Sequence, residues 1–439
     1  MPLRPWAWRL RHTWLNHLRG RGFWRGFDLR EFHLRCIGCE AVYDPSEVIY
    51  VCRSCGSLLS VVYDYDALPP NLRGVWRRRP LSVWRYRELL PVRDHSKVVT
   101  LNEGGTSLHR CHSLSESLGV HSLCVKDEGE NPTGSFKDRG ITVGVTKALE
   151  LGVKTVACAS TGNTSASLAA YAAKAGLNCI ILIPSGKVAL GKLAQAMIHG
   201  AKVISVRGNF DDTLATVREI CSAHPVYLLN SINAFRLEGQ KTLAMEVVDQ
   251  LGHIPDRVVV PVGNAGNISA IWKGFIELSD LGFIETIPMM VGVQAEGASP
   301  IADAVEEGRD EIKRVSNPET LATAIRIGLP VNWRKALKAI GESGGLAVKV
   351  SDDEILEAQR LLAEKEGLFV EPASAASIAG LRRLIDTGVV KRDEEIVCVA
   401  TGHGLKDAGV VVERFAPSVA EAEADLKSVE NLLREDGLL

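Results

Sequence analysis

From about residue 98 onward, short apolar runs alternate with longer Ala-, Leu- and Glu-rich stretches. The runs are "SLCVKDE" (122–128), "TVACAS" (155–160), "NCIILIP" (178–184), "AKVISVRG" (201–208), "VYLLNS" (226–231), "RVVVPVG" (257–263), "MMVGVQAEG" (289–297) and "EIVCVATG" (395–402). Strand-length runs separated by helix-length segments predict parallel α/β layers, because a parallel connection needs a long crossover. No fixed-period repeat accompanies the alternation. Helix starts are marked locally. Ser351 with Glu354 three residues on is a capping-box pattern. Pro132 and Gly134 stop one segment, and Ser135 is placed to N-cap a helix running to about Leu151.

The pattern is different before residue 98. Cys36-x2-Cys39 and Cys52-x2-Cys55 are twelve residues apart. Each pair can set two thiolates on one side of a tight turn, and two such turns complete a tetrahedral zinc site. Free thiols, or a site that has lost its metal, stay open as readings. "EVIYV" and "LLSVVY" read as the flanking strands of a small ribbon. Four Cys ligands close the coordination sphere, so such a metal is structural. Upstream, residues 1–35 hold eight Arg together with Trp6, Trp8, Trp14 and Trp24. That segment reads as a basic extension, with an interfacial or nucleic-acid-contacting arm as the alternative. Residues 70–95 are Pro- and Arg-rich and read as a linker with a short surface helix.

Composition narrows the function class. The chain has 439 residues, 46% of them hydrophobic, which is enough for two or three domains. A net charge of −2 gives no global reason to expect nucleic acid or membrane as a partner. Apolar runs are broken within about ten residues, too short for a transmembrane helix. The N-terminus lacks a signal-peptide pattern, and ten Cys in so long a chain are no disulfide framework, so a reducing cytoplasm is expected.

The candidate chemistry sits where the runs end. In open α/β sheets, ligands gather beyond the carboxyl ends of the strands. "STGNTSAS" (160–167) follows one strand and offers hydroxyls, an amide and free N–H groups at a helix start. "GNAGN" (263–267) follows another, and its backbone amides can hold a phosphate without any Lys. "ATGHGLKD" (400–407) closes the last strand and crowds Thr401, His403 and Lys406 into one turn. Lys137, in "ENPTGSFKDRG" (130–140), falls in the first turn of its helix, where the helix dipole disfavours an ammonium. Apolar burial pushes the same way, toward the neutral amine that Schiff-base chemistry requires.

In order and spacing these stretches resemble the fold-type II pyridoxal-phosphate enzymes and, within them, the threonine synthases. The resemblance covers roughly residues 34–410. It implies two open α/β domains around a cofactor cleft, as in the tryptophan synthase β chain, with a small zinc-ribbon-like module in front. The chain then divides into a basic extension (1–33), whose Arg/Trp-rich stretch falls outside the family pattern, the ribbon-like module (34–66) and a catalytic core (67–439), with a smaller subdomain at roughly 130–220 inserted in the larger α/β domain. The resemblance makes Lys137 the Schiff-base lysine. Asn163 would bond the phenolic oxygen of pyridoxal 5′-phosphate, Gly263, Asn264, Ala265, Gly266 and Asn267 would form the phosphate cup, and Thr401 would face the pyridine nitrogen. "GKLAQA" (191–196) and "NSINAFRLEGQKT" (230–242) resemble segments that bring a Lys and an Arg to a substrate phosphate. Here these are Lys192 and Arg236, with Ser160, Thr161, Thr164, Ser231 and Asn264 as polar partners. The resemblance implies a homodimer and a small phospho-amino-acid substrate, O-phospho-L-homoserine. A relative acting on O-phosphoserine, such as cysteate synthase, keeps nearly all these motifs; a threonine or serine dehydratase departs at "GNAGN" and at the Lys192/Arg236 pair.

Overall fold

The computed structural model describes residues 32–185, 190–208, 210–415 and 419–439. The Arg/Trp-rich segment therefore lies almost wholly outside the described residues, as do the side chains of 190–192, including that of Lys192. Three sheets occur among the described residues. The first joins β1 (Phe32–Cys36), β2 (Val42–Tyr43) and β3 (Leu59–Tyr63), antiparallel, in the order β2-β1-β3.

The other two are the expected parallel layers. Strands β4 (Leu108–Arg110), β5 (Ser122–Asp127), β10 (Arg257–Pro261), β11 (Met289–Ala295), β12 (Leu346–Val350) and β13 (Glu395–Ala400) form a sheet in the order β12-β11-β10-β13-β5-β4. All its pairs are parallel except the edge pair β4–β5. Strands β6 (Thr155–Ala159), β7 (Asn178–Pro184), β8 (Lys202–Val206) and β9 (Val226–Leu228) form a parallel sheet in the order β8-β7-β6-β9. Helices cover both faces of such sheets, so central strands are buried throughout, as β10 is at all five residues. The eight apolar runs coincide with β5 to β11 and β13. The edge strands β4 and β12 carried too little pattern to be predicted.

Two expectations are corrected. "EVIYV" is not a strand: only Val51 makes a bridge, to Leu58, and the ribbon's central strand is β1, which ends on the first Cys. Tyr50 is drawn out of any ladder because its hydroxyl accepts from the Leu228 N–H at 2.7 Å. Nor does Ser135 cap the helix Lys137–Glu150. Phe136 is the N-cap residue and makes no side-chain cap. The carboxylate of Asp138 reaches back instead, accepting from the Thr133 N–H at 2.7 Å and the Thr133 hydroxyl at 2.6 Å. The Ser351–Glu354 capping box forms as predicted.

Two close contacts position the site. The helix Lys137–Glu150 packs on the helix Ala234–Gln240 so tightly that a methyl group on Gly239 would collide with the carbonyl of Arg139. The ribbon grips the same neighbourhood. Tyr63 donates to Glu238 Oε2 at 2.9 Å, Lys273 Nζ donates to the Val61 carbonyl at 2.7 Å, and Lys335 Nζ donates to the Leu59 carbonyl at 2.8 Å.

Candidate active site

Five strands end at one cleft. The turn that carries Lys137 follows β5, "STGN" follows β6, Ser231 follows β9, "GNAGN" follows β10 and Thr401 follows β13. Hydrogen bonds tie these turns together. The Phe136 N–H donates to the Thr401 carbonyl at 3.0 Å, and the His403 N–H donates to the Gly134 carbonyl at 2.9 Å. Asn332 joins two others: its N–H donates to the Asn264 carbonyl at 3.1 Å, and its Nδ2 donates to the Ser231 carbonyl at 3.1 Å. The two large sheets thus contribute to one constellation.

Lys137 is the first residue of its helix and is half-buried, with Nζ 3.9 Å from the Phe136 ring centroid. Burial pushes its ammonium down to about 7, the charge of Arg236 adds to that, and Glu371 opposes both. A substantial neutral fraction at neutral pH is what an imine-forming amine needs. Asn163 opens the next helix, Asn163–Ala175, behind Gly162, and its Nδ2 donates to both oxygens of Glu371 at 3.0 Å. Thr401 Oγ1 lies 3.0 Å from Ser374 Oγ, which in turn accepts from the Gly402 N–H at 2.8 Å.

The 263–267 loop is shaped for close approach. Ala265 is left-handed, φ 62° and ψ 6°, at the N-cap of the helix Gly266–Asp280. That conformation costs a non-glycine residue roughly 1–2 kcal/mol, and it aims the turn's backbone at the helix start. Asn267 is buried, yet both polar atoms of its side chain lack a partner within the protein. Gln240 Oε1 and Asn332 Oδ1 are buried and unpartnered as well, and both side chains reach the Gly266 position. Buried polar atoms are normally satisfied, so such a cluster fits a polar ligand. A pyridoxal phosphate could meet that requirement, with its phosphate at the cup and helix start, its aldehyde carbon toward Lys137, its phenolic oxygen toward Asn163 and its ring nitrogen toward Thr401.

Arg236 is 2% exposed and donates to the Leu229 carbonyl at 2.9 Å, while its Nε has no partner. No carboxylate pairs with it among the described residues, and burial pulls it down to about 10. Ser160 accepts from the Gly162 N–H at 3.3 Å, and Thr161, Thr164 and Ser231 are half-buried beside it in sequence or in the adjoining loop. Lys192 lies in the helix Leu190–Ile198, and its side chain is outside the described set.

The sequence reading missed several residues of this region. Glu371, Ser374 and Asn332 stand far in sequence from the motifs they touch. Pro372 at a helix start was the only local signal near Glu371. Lys406 was noted only as crowding its turn; it bonds the Thr133 carbonyl at 2.7 Å and also reaches Gln195. Arg139, next to Lys137, binds Glu128 and Glu246, each at 2.6 Å, in a fully buried network completed by Lys126.

The four Cys of the ribbon converge. Cys36 and Cys55 Sγ are 3.4 Å apart, Cys39 and Cys52 Sγ are 3.5 Å apart, and all four lie within 4.8 Å of one another. A tetrahedral Zn–S₄ site with bonds of about 2.3 Å has sulfur separations of ~3.8 Å, so the donor set fits that ion.

Fold and site define a lysine-dependent pyridoxal-phosphate enzyme. A family model described as "Pyridoxal-phosphate dependent enzyme" matches residues 99–402, more than half of the chain. A threonine synthase of Methanocaldococcus jannaschii is 58% identical over 403 residues, 91% of this chain and 99% of the relative. One from Mycobacterium bovis is 53% identical over 347 residues, 79% of this chain and 94% of the relative. Among solved structures, maize serine racemase superposes with a TM-score of 0.62 at 20% identity, covering 71% of this chain and 92% of its own; it supports the fold alone. The chain belongs to the pyridoxal-phosphate-dependent enzymes and, within them, to the threonine synthases.

Proposed function

We propose that the protein converts O-phospho-L-homoserine and water to L-threonine and inorganic phosphate. The observation that carries this reading is Arg236: a buried guanidinium, free of carboxylates among the described residues, whose charge is felt at Lys137. A cation left unpaired in the interior is costly unless a ligand supplies the anion. A substrate phosphate supplies it.

When bound, pyridoxal phosphate withdraws electrons from the substrate's α-carbon. In this reading Gly263, Asn264, Ala265, Gly266 and Asn267 hold its phosphate, Asn163 its phenolic oxygen and Thr401, steadied by Ser374, its ring nitrogen. A hydroxyl there would favour ring protonation less than a carboxylate would. Lys137 would hold the cofactor through its amine and, when that amine is free, would remove the α-proton as a neutral base. It would also take a proton from the β-carbon as the γ-phosphate leaves, deliver a proton to the γ-carbon to complete the methyl group, and return a proton to the α-carbon after water adds at the β-carbon. Arg236 and Lys192 stabilise the departing phosphate, with Ser160, Thr161, Thr164 and Ser231 fixing the rest of the substrate.

The ribbon is read as holding a structural zinc on Cys36, Cys39, Cys52 and Cys55, supported by the spacing of the four sulfurs. The Cys36→Ser variant is expected to lose the single equivalent of zinc that elemental analysis should find in wild type. A homodimer in the cytoplasm completes the reading, testable by light scattering. The deciding assay offers phosphohomoserine, or phosphoserine with sulfite, and follows phosphate release together with the amino acid formed. Threonine from the first alone supports the proposal; product only from the second overturns it.

A further inference from the structure

A buried carboxylate stands beside Asn163. Glu371 is 4% exposed and precedes Pro372 at the start of the helix Pro372–Asp386. Its backbone N–H donates to the Gly402 carbonyl at 2.9 Å, which pins it to the Thr401 turn. Among the described residues, no Lys, Arg or His lies within ion-pair distance of its carboxylate. Lys137, Lys406 and Asp407 act on it through space, and both oxygens accept from Asn163 Nδ2 at 3.0 Å.

That bond carries information. A carboxylate only accepts, so it dictates which end of the Asn163 amide faces it. The amide nitrogen must point to Glu371, with one of its two hydrogens. The second hydrogen is then fixed in the amide plane rather than exchanged with Oδ1 by a flip. We infer that Glu371 is a positioning residue: it locks the Asn163 amide so that one N–H is presented to the phenolic oxygen of the pyridoxal ring. The inference rests on the assignment of Asn163 made above. Burial raises the Glu371 carboxyl above its ordinary value, which leaves it sensitive to the nearby cations. The bond from Asn163 favours the ionised, acceptor-only form.

An N–H donated to the phenolic oxygen draws charge from it, so losing that bond changes the proton affinity of the Lys137-linked cofactor. The test is the pH midpoint of the cofactor's visible absorption in holoenzyme, measured as a double-mutant cycle. Glu371→Gln, whose amide donates as well as accepts, permits the flip and is expected to move the midpoint by about one pH unit, the scale of one such hydrogen bond. In the Asn163→Ala background the same substitution is expected to move it by much less. An equal shift in both backgrounds overturns the proposal, because it marks a direct charge effect; no shift in either also overturns it. Asn163→Ala that leaves the midpoint unchanged overturns the Asn163 assignment, and this proposal with it, so the two failures are told apart. Glu371→Asp keeps an acceptor-only head and serves in the same cycle if Glu371→Gln does not fold. It is expected to shift the midpoint less than Glu371→Gln, and a shift as large counts against the proposal.

Discussion

Arg139 and Arg236 lie on facing helices, and both are buried, yet they stand in opposite electrostatic situations. Arg139 meets Glu128 through Nε and Nη2 and Glu246 through Nη1 and Nη2, and it adds bonds to Thr106 and Thr242. Burial alone would lower its proton affinity, but the two carboxylates raise it well above the ordinary value. Arg236 has one carbonyl and an unpartnered Nε, and burial wins. Burial therefore does not separate a cation neutralised inside the protein from the one proposed to meet a ligand's anion. What separates them is whether the protein itself supplies the anions.

The largest effect that tests this contrast is on stability. Arg139→Met leaves Glu128 and Glu246 buried without their main counter-charge, and breaking such a network costs about 3–5 kcal/mol. Urea denaturation of the apoenzyme should show it as a much lower midpoint. Arg236→Met should leave that midpoint unchanged or raised, because it removes a cation that the protein does not neutralise. Its expected cost is in turnover: a fall in kcat/KM for phosphohomoserine on the order of 10²-fold, as for loss of one charge-stabilising donor. If Arg236→Met unfolds the protein and Arg139→Met only slows it, the contrast is reversed.

A smaller effect concerns phosphate. At ten times its Kd, inorganic phosphate should stabilise the wild-type holoenzyme by about 1.4 kcal/mol, a rise of about 2 °C in Tm. Arg236→Met should lose that rise. Another concerns acid. Burial alone would raise Glu246, but Arg139 and Lys126 hold it down to about 2. Unfolded, it titrates near an ordinary glutamate at about 4.3. Its folded pKa is depressed, so its contribution is present above about pH 4.3 and lost as the pH falls toward about 2. Urea midpoints should decline over that window in wild type and decline less in Arg139→Met.

The same contrast shows what was legible in the sequence. Lys137, Asn163, the 263–267 loop and Thr401 lie at strand ends or helix starts, where motif and element boundary coincide. The parallel layers were legible because each run has one dominant pattern. Arg139 sits beside Lys137 in the same motif but gave no sign of its role, since Glu128 is eleven residues away and Glu246 over a hundred. Glu371 was silent for the same reason: its partner Asn163 is 208 positions distant. "EVIYV" misled because a β-rich composition does not reveal that Tyr50 is taken by Leu228. Long-range partners are chosen by the fold, and no local pattern encodes them.

The ribbon's grip on the core bears on how freely this chain can be rearranged. Its four anchor points are Tyr50 on the Leu228 N–H, Tyr63 on Glu238, and the Leu59 and Val61 carbonyls under Lys335 and Lys273. Leu228, Glu238 and Lys335 lie within three residues of Ser231, Arg236 and Asn332, respectively. A front segment joined in this way is not an exchangeable cassette. Grafting the ribbon of a relative onto this core, or this ribbon onto another, would have to carry those matching residues with it or loosen the segments that carry Ser231, Arg236 and Asn332.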